Sequence, residues 1–305
     1  MKKLLITGSN GFIGSECRKY FSDKGFNVFG IDPFGEGENF IQGEVSRKNL
    51  EGFNTEFDYI IHLAGSSTVG DAHKNPETEK RKTVDSTLEV LEFMRLGNPR
   101  AKLVYASSSA VYGNGYNREI SENDTLAPIS EYGKHKVEAE NLCKEYYNKQ
   151  GINIGIIRFF SIYGEGLKKQ LLWDFSCRLQ ETKESVACFG TGEEVRDFIH
   201  VQDAVRFIDL VLKKEDGFKI YNCGCGKGME VREVLNKICK NFKCKKELVF
   251  DNMIQTGNPK CLLANISKAR ELGFMPEINI DRGIERYVSW FKKENQNRFF
   301  NKAVL

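Results

Sequence analysis

The chain has 305 residues, of which 40% are hydrophobic and 29% charged, and its formal net charge is +3. This is an ordinary globular composition, which argues against a disordered or fibrous protein. The small net charge, without a basic block interleaved with aromatic residues, argues against nucleic acid as a partner. No apolar run reaches the roughly 18 residues of a membrane helix, and the apolar beginning breaks at Gly8, too early for a signal-peptide core. We therefore expect a cytoplasmic protein without a membrane partner.

The cysteines do not suggest a disulfide framework or a metal site. They are odd in number, scattered, and never spaced as Cys-x-x-Cys, so zinc-ligand spacing is missing. We expect thiols that are buried or incidental, and no bound metal. The nine are Cys17, Cys143, Cys177, Cys188, Cys223, Cys225, Cys239, Cys244 and Cys261.

In chain order, the first half alternates short apolar runs with stretches of helical periodicity. The strand-like runs are KKLLITG, FNVFGID, FDYIIHLAG, AKLVYASSS and INIGIIRFF, and the helices lie near 12–24, 82–96 and 130–149. This alternation predicts βαβ units around a parallel sheet buried on both faces. The fold class is therefore α/β, a Rossmann-type doubly wound parallel sheet. Each strand runs into Gly, Ser or Asp at its carboxyl end, where such sheets bind ligands.

The rhythm changes after about Gly164. Helices are predicted near 171–182, 201–213, 231–241, 267–272 and 281–292, with brief strands at SVACFG and ELVF. No repeat or low-complexity linker separates the two parts. We therefore predict a dinucleotide-binding domain over 1–164 and a smaller, mixed α/β substrate lobe over 165–305 that is interleaved with it.

A glycine-rich turn joins the first strand to the first helix. Gly8, Gly11 and Gly14 allow a tight turn and a close approach of backbone to a pyrophosphate, while the helix N-terminus supplies N–H donors and a positive dipole. The next strand ends at Asp32, which lies 18 residues after Gly14. A carboxylate there can accept both adenosine ribose hydroxyls but repels a 2′-phosphate, so we predict NAD rather than NADP.

The spacing G-x-x-G-x-x-G, with GFIG inside it, resembles the extended short-chain dehydrogenase/reductase family. That resemblance implies a Ser, a Tyr and a Lys in set places further along. YASSSAVYG ends the fourth strand-like run of this half, and a Tyr and a Lys four residues apart begin the next predicted helix. The resemblance implies that Ser108, Tyr132 and Lys136 are catalytic. It also implies that Tyr132 and Lys136 contact the cofactor and that Ser108 contacts substrate.

The Tyr–Lys pair has a chemical reason. A free phenol has a pKa of about 10 and is a poor base at neutral pH. A Lys four residues later lies one helical turn away on the same face. Its ammonium, together with the positive nicotinamide ring, is expected to lower the pKa of Tyr132.

Other segments resemble the family's nucleotide-sugar epimerase/dehydratase group. HLAG resembles the loop beneath the adenosine and pyrophosphate, and RFFSIYGEG resembles the segment beside nicotinamide and substrate. Together these matches imply cofactor contacts at Gly8, Gly11, Phe12, Ile13, Gly14, Asp32, Leu63, Ala64, Gly65 and Phe159, and substrate contacts at Ser161 and Arg196. Arg196, in GTGEEVRDFIHVQDA, is expected to hold a substrate diphosphate, with a salt bridge to Asp197 or Glu194 as the alternative. His62 and His200 are expected to be structural.

The resemblance leaves several reactions open. A 4,6-dehydratase needs an acid pair after the Ser, but Ser109 and Ala110 stand there. The favoured hypothesis is an NAD-dependent nucleotide-sugar C4-epimerase that acts through a transient 4-keto sugar. The alternative is a 4-keto-sugar reductase or a C4-dehydrogenase. Ser161 occupies the place of the family's Asn, which leaves the substrate open. An NAD-sensing binding protein is the non-enzymatic alternative. The family further implies a homodimer. The lysine-rich, proline-poor composition suggests an AT-rich bacterial genome, where such enzymes often make surface-polysaccharide sugars.

Overall fold

The structure is a computed structural model, and it describes residues 1–65, 75–214, 216–253 and 259–302, with side chains up to residue 295. The strands are β1 (Lys3–Thr7), β2 (Asn27–Asp32), β3 (Phe40–Gln42), β4 (Tyr59–His62), β5 (Lys102–Ser108), β6 (Ile154–Phe159), β7 (Ser161–Tyr163), β8 (Ser185–Cys188), β9 (Val195–His200), β10 (Phe218–Cys223), β11 (Gly228–Glu230), β12 (Glu247–Phe250) and β13 (Cys261–Leu262). The helices are α1 (Phe12–Asp23), α2 (Arg47–Glu51), α3 (Pro76–Lys80), α4 (Ser86–Gly97), α5 (Glu131–Gln150), α6 (Gln170–Glu181), α7 (Val201–Lys214), α8 (Val231–Phe242), α9 (Ser267–Glu271) and α10 (Ile280–Lys302).

A seven-stranded parallel sheet forms the centre of the fold, in the order β10-β6-β5-β4-β1-β2-β3. Its middle strands are buried along almost their whole length, as expected for a sheet covered on both faces. Side chains of β1 alternate between the faces: Leu4 packs in the apolar cluster that includes Phe21 and Phe207, and Leu5 packs in the one that includes Leu91 and Cys143. The predicted doubly wound α/β sheet is confirmed.

The smaller lobe is built around β9. This strand pairs in parallel with β7 and β13 and antiparallel with β11, while β8 and β12 form a separate parallel pair. A third apolar cluster, which includes Trp173, Phe175, Tyr287 and Phe291, fills this lobe. Strand β10 follows residue 164 in the chain but pairs with β6 in the large sheet. The chain therefore crosses between the two parts, and the division at 164 stays a prediction.

Several elements differ from their predicted extents. The helix predicted over 82–96 is preceded by α3, and a π-helical turn, Arg81–Asp85, joins α3 to α4. The last helix is longer than predicted, because its polar second half carries no apolar periodicity. Five short strands or strands of mixed polarity were not predicted: β3, β7, β10, β11 and β13. In β9, Arg196 and Asp197 interrupt the apolar run.

Helix α5 carries two of the predicted catalytic residues and has defined ends. The Ser130 hydroxyl accepts the Gly133 N–H at 3.1 Å, and Gly151 ends the helix with a φ of +68°. Its apolar residues Ala139 and Cys143 pack in a cluster beside the large sheet, not against the second lobe. Within the ranges given above, none of the helices combines the length and apolar character needed to cross a membrane.

Candidate active site

A cleft of about 1200 Å³ opens at the carboxyl ends of the parallel strands, with residues of the smaller lobe on its other wall. Every residue predicted to bind cofactor or substrate, or to act in catalysis, lines this cleft. They are Gly8, Gly11, Phe12, Ile13, Gly14, Asp32, Leu63, Ala64, Gly65, Ser108, Tyr132, Lys136, Phe159, Ser161 and Arg196. The geometry brings the set together, while the role of each residue stays a prediction.

The glycine-rich turn fits a pyrophosphate. A Cβ on Gly14 would lie 2.0 Å from the Gly8 carbonyl oxygen, and one on Gly8, at a φ of +66°, would lie 2.9 Å from the Ala64 nitrogen. Helix α1 begins at Phe12 after Gly11, and no side chain caps its N-terminus. The first N–H groups of a helix have no partners within it, so an uncapped end facing a cleft can bind an anion.

We expect Gly14→Ala to weaken NAD binding. The added methyl group meets backbone atoms on two residues of the turn, so the turn must shift at a cost of about 1–3 kcal/mol. This corresponds to roughly a tenfold rise in the NAD dissociation constant or more, measured by titration calorimetry. Gly115→Ala is the matched control, because a Cβ there meets no atom within 4 Å. Equal affinities in the two variants would contradict the pyrophosphate site.

Asp32 ends β2 at the rim of the cleft and is only 8% exposed. Its two carboxylate oxygens accept the backbone N–H groups of Asn10 and Phe34, each at 3.1 Å. These bonds fix the orientation of the carboxylate, and each oxygen keeps a further lone pair for a ribose hydroxyl. The observed geometry suits NAD, because a 2′-phosphate would meet the negative charge.

Ser108, Tyr132 and Lys136 meet where β5 ends and α5 begins. Gly133 permits this approach, because a Cβ there would lie 2.6 Å from the Ala110 carbonyl oxygen. The Lys136 ammonium donates to the Ala106 carbonyl at 2.8 Å, and its nitrogen lies 5.9 Å from the centre of the Tyr132 ring. Tyr132 therefore has both the Ser108 hydroxyl and the Lys136 ammonium as neighbours in the cleft.

The pKa values of this group differ from the sequence expectation. Burial raises the pKa of Tyr132 to about 12, although the ring is partly exposed along the cleft, and the Ser108 hydroxyl acts in the opposite direction. Burial lowers the pKa of Lys136 to about 8, and the carboxylates of Glu79 and Glu140 oppose this effect. The lowering expected from Lys136 together with the nicotinamide ring stays a prediction, because burial sets the pKa of Tyr132 here and the Lys136 ammonium is directed at the Ala106 carbonyl.

The two histidines singled out from the sequence have structural partners, as expected. The ring of His62 is fully buried and bonds the hydroxyls of Thr7 and Thr87 at 2.7 and 3.1 Å. Burial lowers its pKa to about 3, so the ring is neutral. His200 bonds the Glu165 carboxylate at 2.9 Å.

Arg196 and Ser161 lie on the wall formed by the smaller lobe, on the paired strands β9 and β7. One guanidinium nitrogen of Arg196 donates to the Val195 carbonyl at 2.8 Å. The carboxylates considered as alternative partners serve backbone groups: Asp197 accepts the N–H groups of Cys225, Gly226 and Ala264, and Glu194 accepts those of Thr191 and Gly192. The diphosphate role of Arg196 stays a prediction.

Two buried charge pairs near the site were not predicted from the sequence. Glu140 and Arg158 form a paired contact with nitrogen–oxygen distances of 3.0 and 2.6 Å, and the Ser107 hydroxyl donates to Glu140 at 2.5 Å. Behind Lys136, Glu79 bonds the Nδ1 atom of His135. No sequence signal marks either pair, because a buried charge is recognised only once its partner is known.

Known proteins resemble the chain over nearly its full length. The model of the NAD dependent epimerase/dehydratase family matches residues 4–224. A UDP-glucuronate 4-epimerase of Thermodesulfobacterium geofontis is 30% identical, covering 95% of this chain and 96% of its own length. A putative UDP-glucose 4-epimerase of Methanocaldococcus jannaschii is 29% identical, covering 96% of this chain and 99% of its own.

Solved structures agree with the sequence relatives. The structure of a UDP-glucuronic acid 4-epimerase from Bacillus cereus, in complex with UDP-glucuronic acid and NAD, superposes with a TM-score of 0.86 at 25% identity, covering 96% of this chain and 99% of that one. The fold, the cleft and the matched residues lead to one conclusion. The chain belongs to the NAD dependent epimerase/dehydratase family, within the extended short-chain dehydrogenase/reductases, and is an NAD-dependent enzyme.

Proposed function

We propose that the protein is a UDP-sugar C4-epimerase that acts through a transient 4-keto sugar and keeps its NAD between turnovers. One observation supports the proposal: Ser108, Tyr132, Lys136, the glycine-rich turn and Arg196 all line a single cleft. Relatives of near-equal length, named as UDP-glucose and UDP-glucuronate 4-epimerases, support UDP as the nucleotide and C4 as the reacting centre.

Tyr132 is the acid and base of the proposed reaction. Bound NAD would supply the hydride acceptor at C4, and return of the hydride to the opposite face of the 4-keto sugar, after the sugar has turned round in the cleft, would give the C4 epimer. Tyr132 takes the proton of the C4 hydroxyl and gives it back to the 4-keto oxygen, while Ser108 holds that oxygen by a hydrogen bond. Lys136 contributes a positive charge beside the developing phenolate. Because the proton and hydride both return to the sugar, no second acid or base is required.

The residues beside Ser108 support an epimerase over a 4,6-dehydratase. Ser109 and Ala110 form the start of a short 3₁₀ turn, and both line the cleft. Neither side chain is a strong general acid or base, so removal of a C5 proton and loss of the C6 hydroxyl have no group to assist them here.

Arg196 is proposed to hold the UDP diphosphate. We expect Arg196→Leu to lose charge-assisted hydrogen bonds that are together worth about 1.5–3 kcal/mol. The UDP dissociation constant should rise by roughly tenfold to a hundredfold, measured by titration calorimetry, while NAD affinity stays unchanged. Arg95→Leu is the control, because Arg95 lies on α4 and pairs with Glu92 outside the cleft. Unchanged UDP affinity in Arg196→Leu would contradict this assignment.

A nucleotide-4-keto-sugar C4-reductase or C4-dehydrogenase is the second candidate. It would use the same three residues, with the cofactor as an exchangeable reagent. Ser161 supports this second candidate. It lines the cleft where the family pattern has Asn, and its shorter side chain changes how a sugar is held. We also propose that the protein is a cytoplasmic homodimer and that it acts in the synthesis of bacterial surface-polysaccharide sugars.

A panel of UDP-, GDP- and dTDP-sugars tests the function. The purified protein is incubated with each sugar without added cofactor, products are identified by NMR, and NADH is followed by absorbance. The proposal expects one or more UDP-sugars to reach equilibrium with the C4 epimer without net NADH formation. A stoichiometric burst of NADH that stalls until NAD or a keto compound is added would favour the second candidate instead.

A further inference from the structure

A buried acid and a histidine lie behind the catalytic lysine, and neither has a role in the reaction described above. Glu79 is on α3 and only 2% exposed; His135 is on α5, next to Lys136 in the chain, and 8% exposed. One Glu79 oxygen bonds Nδ1 of His135, and the other accepts the Thr83 hydroxyl at 2.6 Å. Both oxygens of the carboxylate are therefore held in place.

The π-helical turn that follows α3 brings this cluster to the cleft wall. Thr83 lies within that turn. A Cβ placed on Gly65 would lie 3.4 Å from the Thr83 hydroxyl oxygen and 3.6 Å from the Lys136 nitrogen. The hydroxyl that anchors Glu79 and the ammonium of Lys136 thus face the same glycine at the edge of the cleft.

The charge balance around Lys136 depends on Glu79. Among the residues that the structure describes, the titratable groups facing its ammonium are His62 of β4, Tyr105 of β5, Glu79 of α3, and Tyr132, Glu140 and Cys143 of α5, and the Ala106 carbonyl of β5 accepts from it. Burial keeps His62, Tyr105 and Cys143 uncharged at neutral pH, because it lowers the pKa of the imidazole and raises those of the phenol and thiol.

Two carboxylates remain, and one of them already has a cation. Glu140 is bonded to the Arg158 guanidinium by both of its oxygens. Glu79 is held by a hydroxyl and an imidazole instead. Among the residues that the structure describes, Glu79 therefore faces Lys136 without the guanidinium partner that Glu140 has.

We propose that Glu79 and His135 are a positioning pair that keeps the Lys136 ammonium charged, so that the enzyme stays active on the alkaline side of neutrality. Glu79 supplies the negative charge, and His135 orients it and satisfies its buried oxygen. The link to turnover rests on the proposed function, whereas the effect on Lys136 does not require it. Burial lowers the pKa of Lys136 to about 8. Loss of the nearby negative charge of Glu79 therefore changes the protonation of Lys136 at pH values near neutrality.

The protonation of Lys136 can be measured without substrate. Acetic anhydride at low concentration acylates neutral amines, and mass spectrometry of the Lys136 peptide across about pH 6 to 10 gives the midpoint of its titration. We expect Glu79→Gln to move this midpoint about one pH unit lower. Glu138→Gln removes an exposed carboxylate from α5 that pairs with Lys80, and it should leave the midpoint unchanged.

Two substitutions of His135 separate this effect from a structural one. His135→Asn keeps an N–H donor near the position of Nδ1, so the midpoint should stay at its wild-type value. His135→Phe removes the contact that holds one Glu79 oxygen, so the carboxylate loses its fixed position near Lys136 and the midpoint should fall, as in Glu79→Gln. If Glu79→Gln does not fold, the two His135 variants still show whether the Glu79–His135 contact sets the midpoint of Lys136.

The alkaline limb of the pH profile of kcat should move together with the labelling midpoint. A shifted midpoint in a protein that epimerises no sugar would retain this inference and refute the proposed function. A midpoint that is the same in Glu79→Gln, His135→Phe and the wild type would overturn the inference and leave the proposed function intact.

Discussion

Tyr132→Phe is expected to abolish most turnover while leaving ligand binding intact. The substitution removes only the phenolic oxygen, so the ring still fills its place beside Ser108 and Lys136. Without that oxygen the proposed acceptor of the C4 hydroxyl proton is lost, and loss of an acid–base residue typically costs about 10²–10⁴-fold in rate. The rate is followed by NMR of the C4 epimers, and binding of NAD and UDP by calorimetry.

The control for this substitution lies on the same helix. Tyr147 is on α5, outside the cleft, with its ring against Phe218. Tyr147→Phe removes the same atom without touching the site and should retain wild-type turnover. Substantial activity in Tyr132→Phe would show that another group carries the proton. A parallel loss of NAD binding would instead show a structural role for the hydroxyl.

Arg158→Met is expected to be the most destabilising of the substitutions considered. Arg158 is 2% exposed and Glu140 4% exposed, so the variant leaves a buried carboxylate without its cation. Breaking a buried ion pair from one side costs about 3–5 kcal/mol. The free energy of unfolding is measured by urea titration with circular dichroism. Because the pair joins β6 to α5, the loss should also reduce turnover through displacement of Tyr132 and Lys136.

Two further variants test the origin of that loss. Replacing both partners, as Arg158→Met with Glu140→Leu, removes the uncompensated charge and should recover part of the stability. Lys149→Met breaks the exposed pair with Glu145 on the same helix, at a cost of about 0.5 kcal/mol or less. If Arg158→Met cost no more than Lys149→Met, the buried pair would not be the stabilising contact that its geometry indicates.

Local patterns in the sequence predicted the parts of the site that are formed by neighbouring residues. The glycine turn and Asp32 follow from a strand, a tight turn and a second strand in succession. Tyr132 and Lys136 share a helix face because they are four residues apart. These features need no knowledge of distant contacts, and the structure places all of them along one cleft.

Contacts between distant residues could not be predicted in the same way. Glu79 and His135 are 56 positions apart, and both lie in charged segments that are typical of an exposed helix. Strand β10 joins the large sheet from within the part of the chain assigned to the second lobe, because sheet order is set by tertiary packing. The pKa of Tyr132 also depends on burial, which no local pattern reveals.

Retention of hydrogen at C4 tests the central claim most directly. A UDP-sugar that the enzyme converts is prepared with deuterium at C4 and incubated with the enzyme in the presence of excess unlabelled NADH, and the product is examined by mass spectrometry and NMR. The account predicts that the C4 epimer keeps its deuterium, because the hydride removed from C4 is returned within the same site. Replacement of that deuterium by hydrogen from the added NADH would contradict it and identify an oxidoreductase with an exchangeable cofactor.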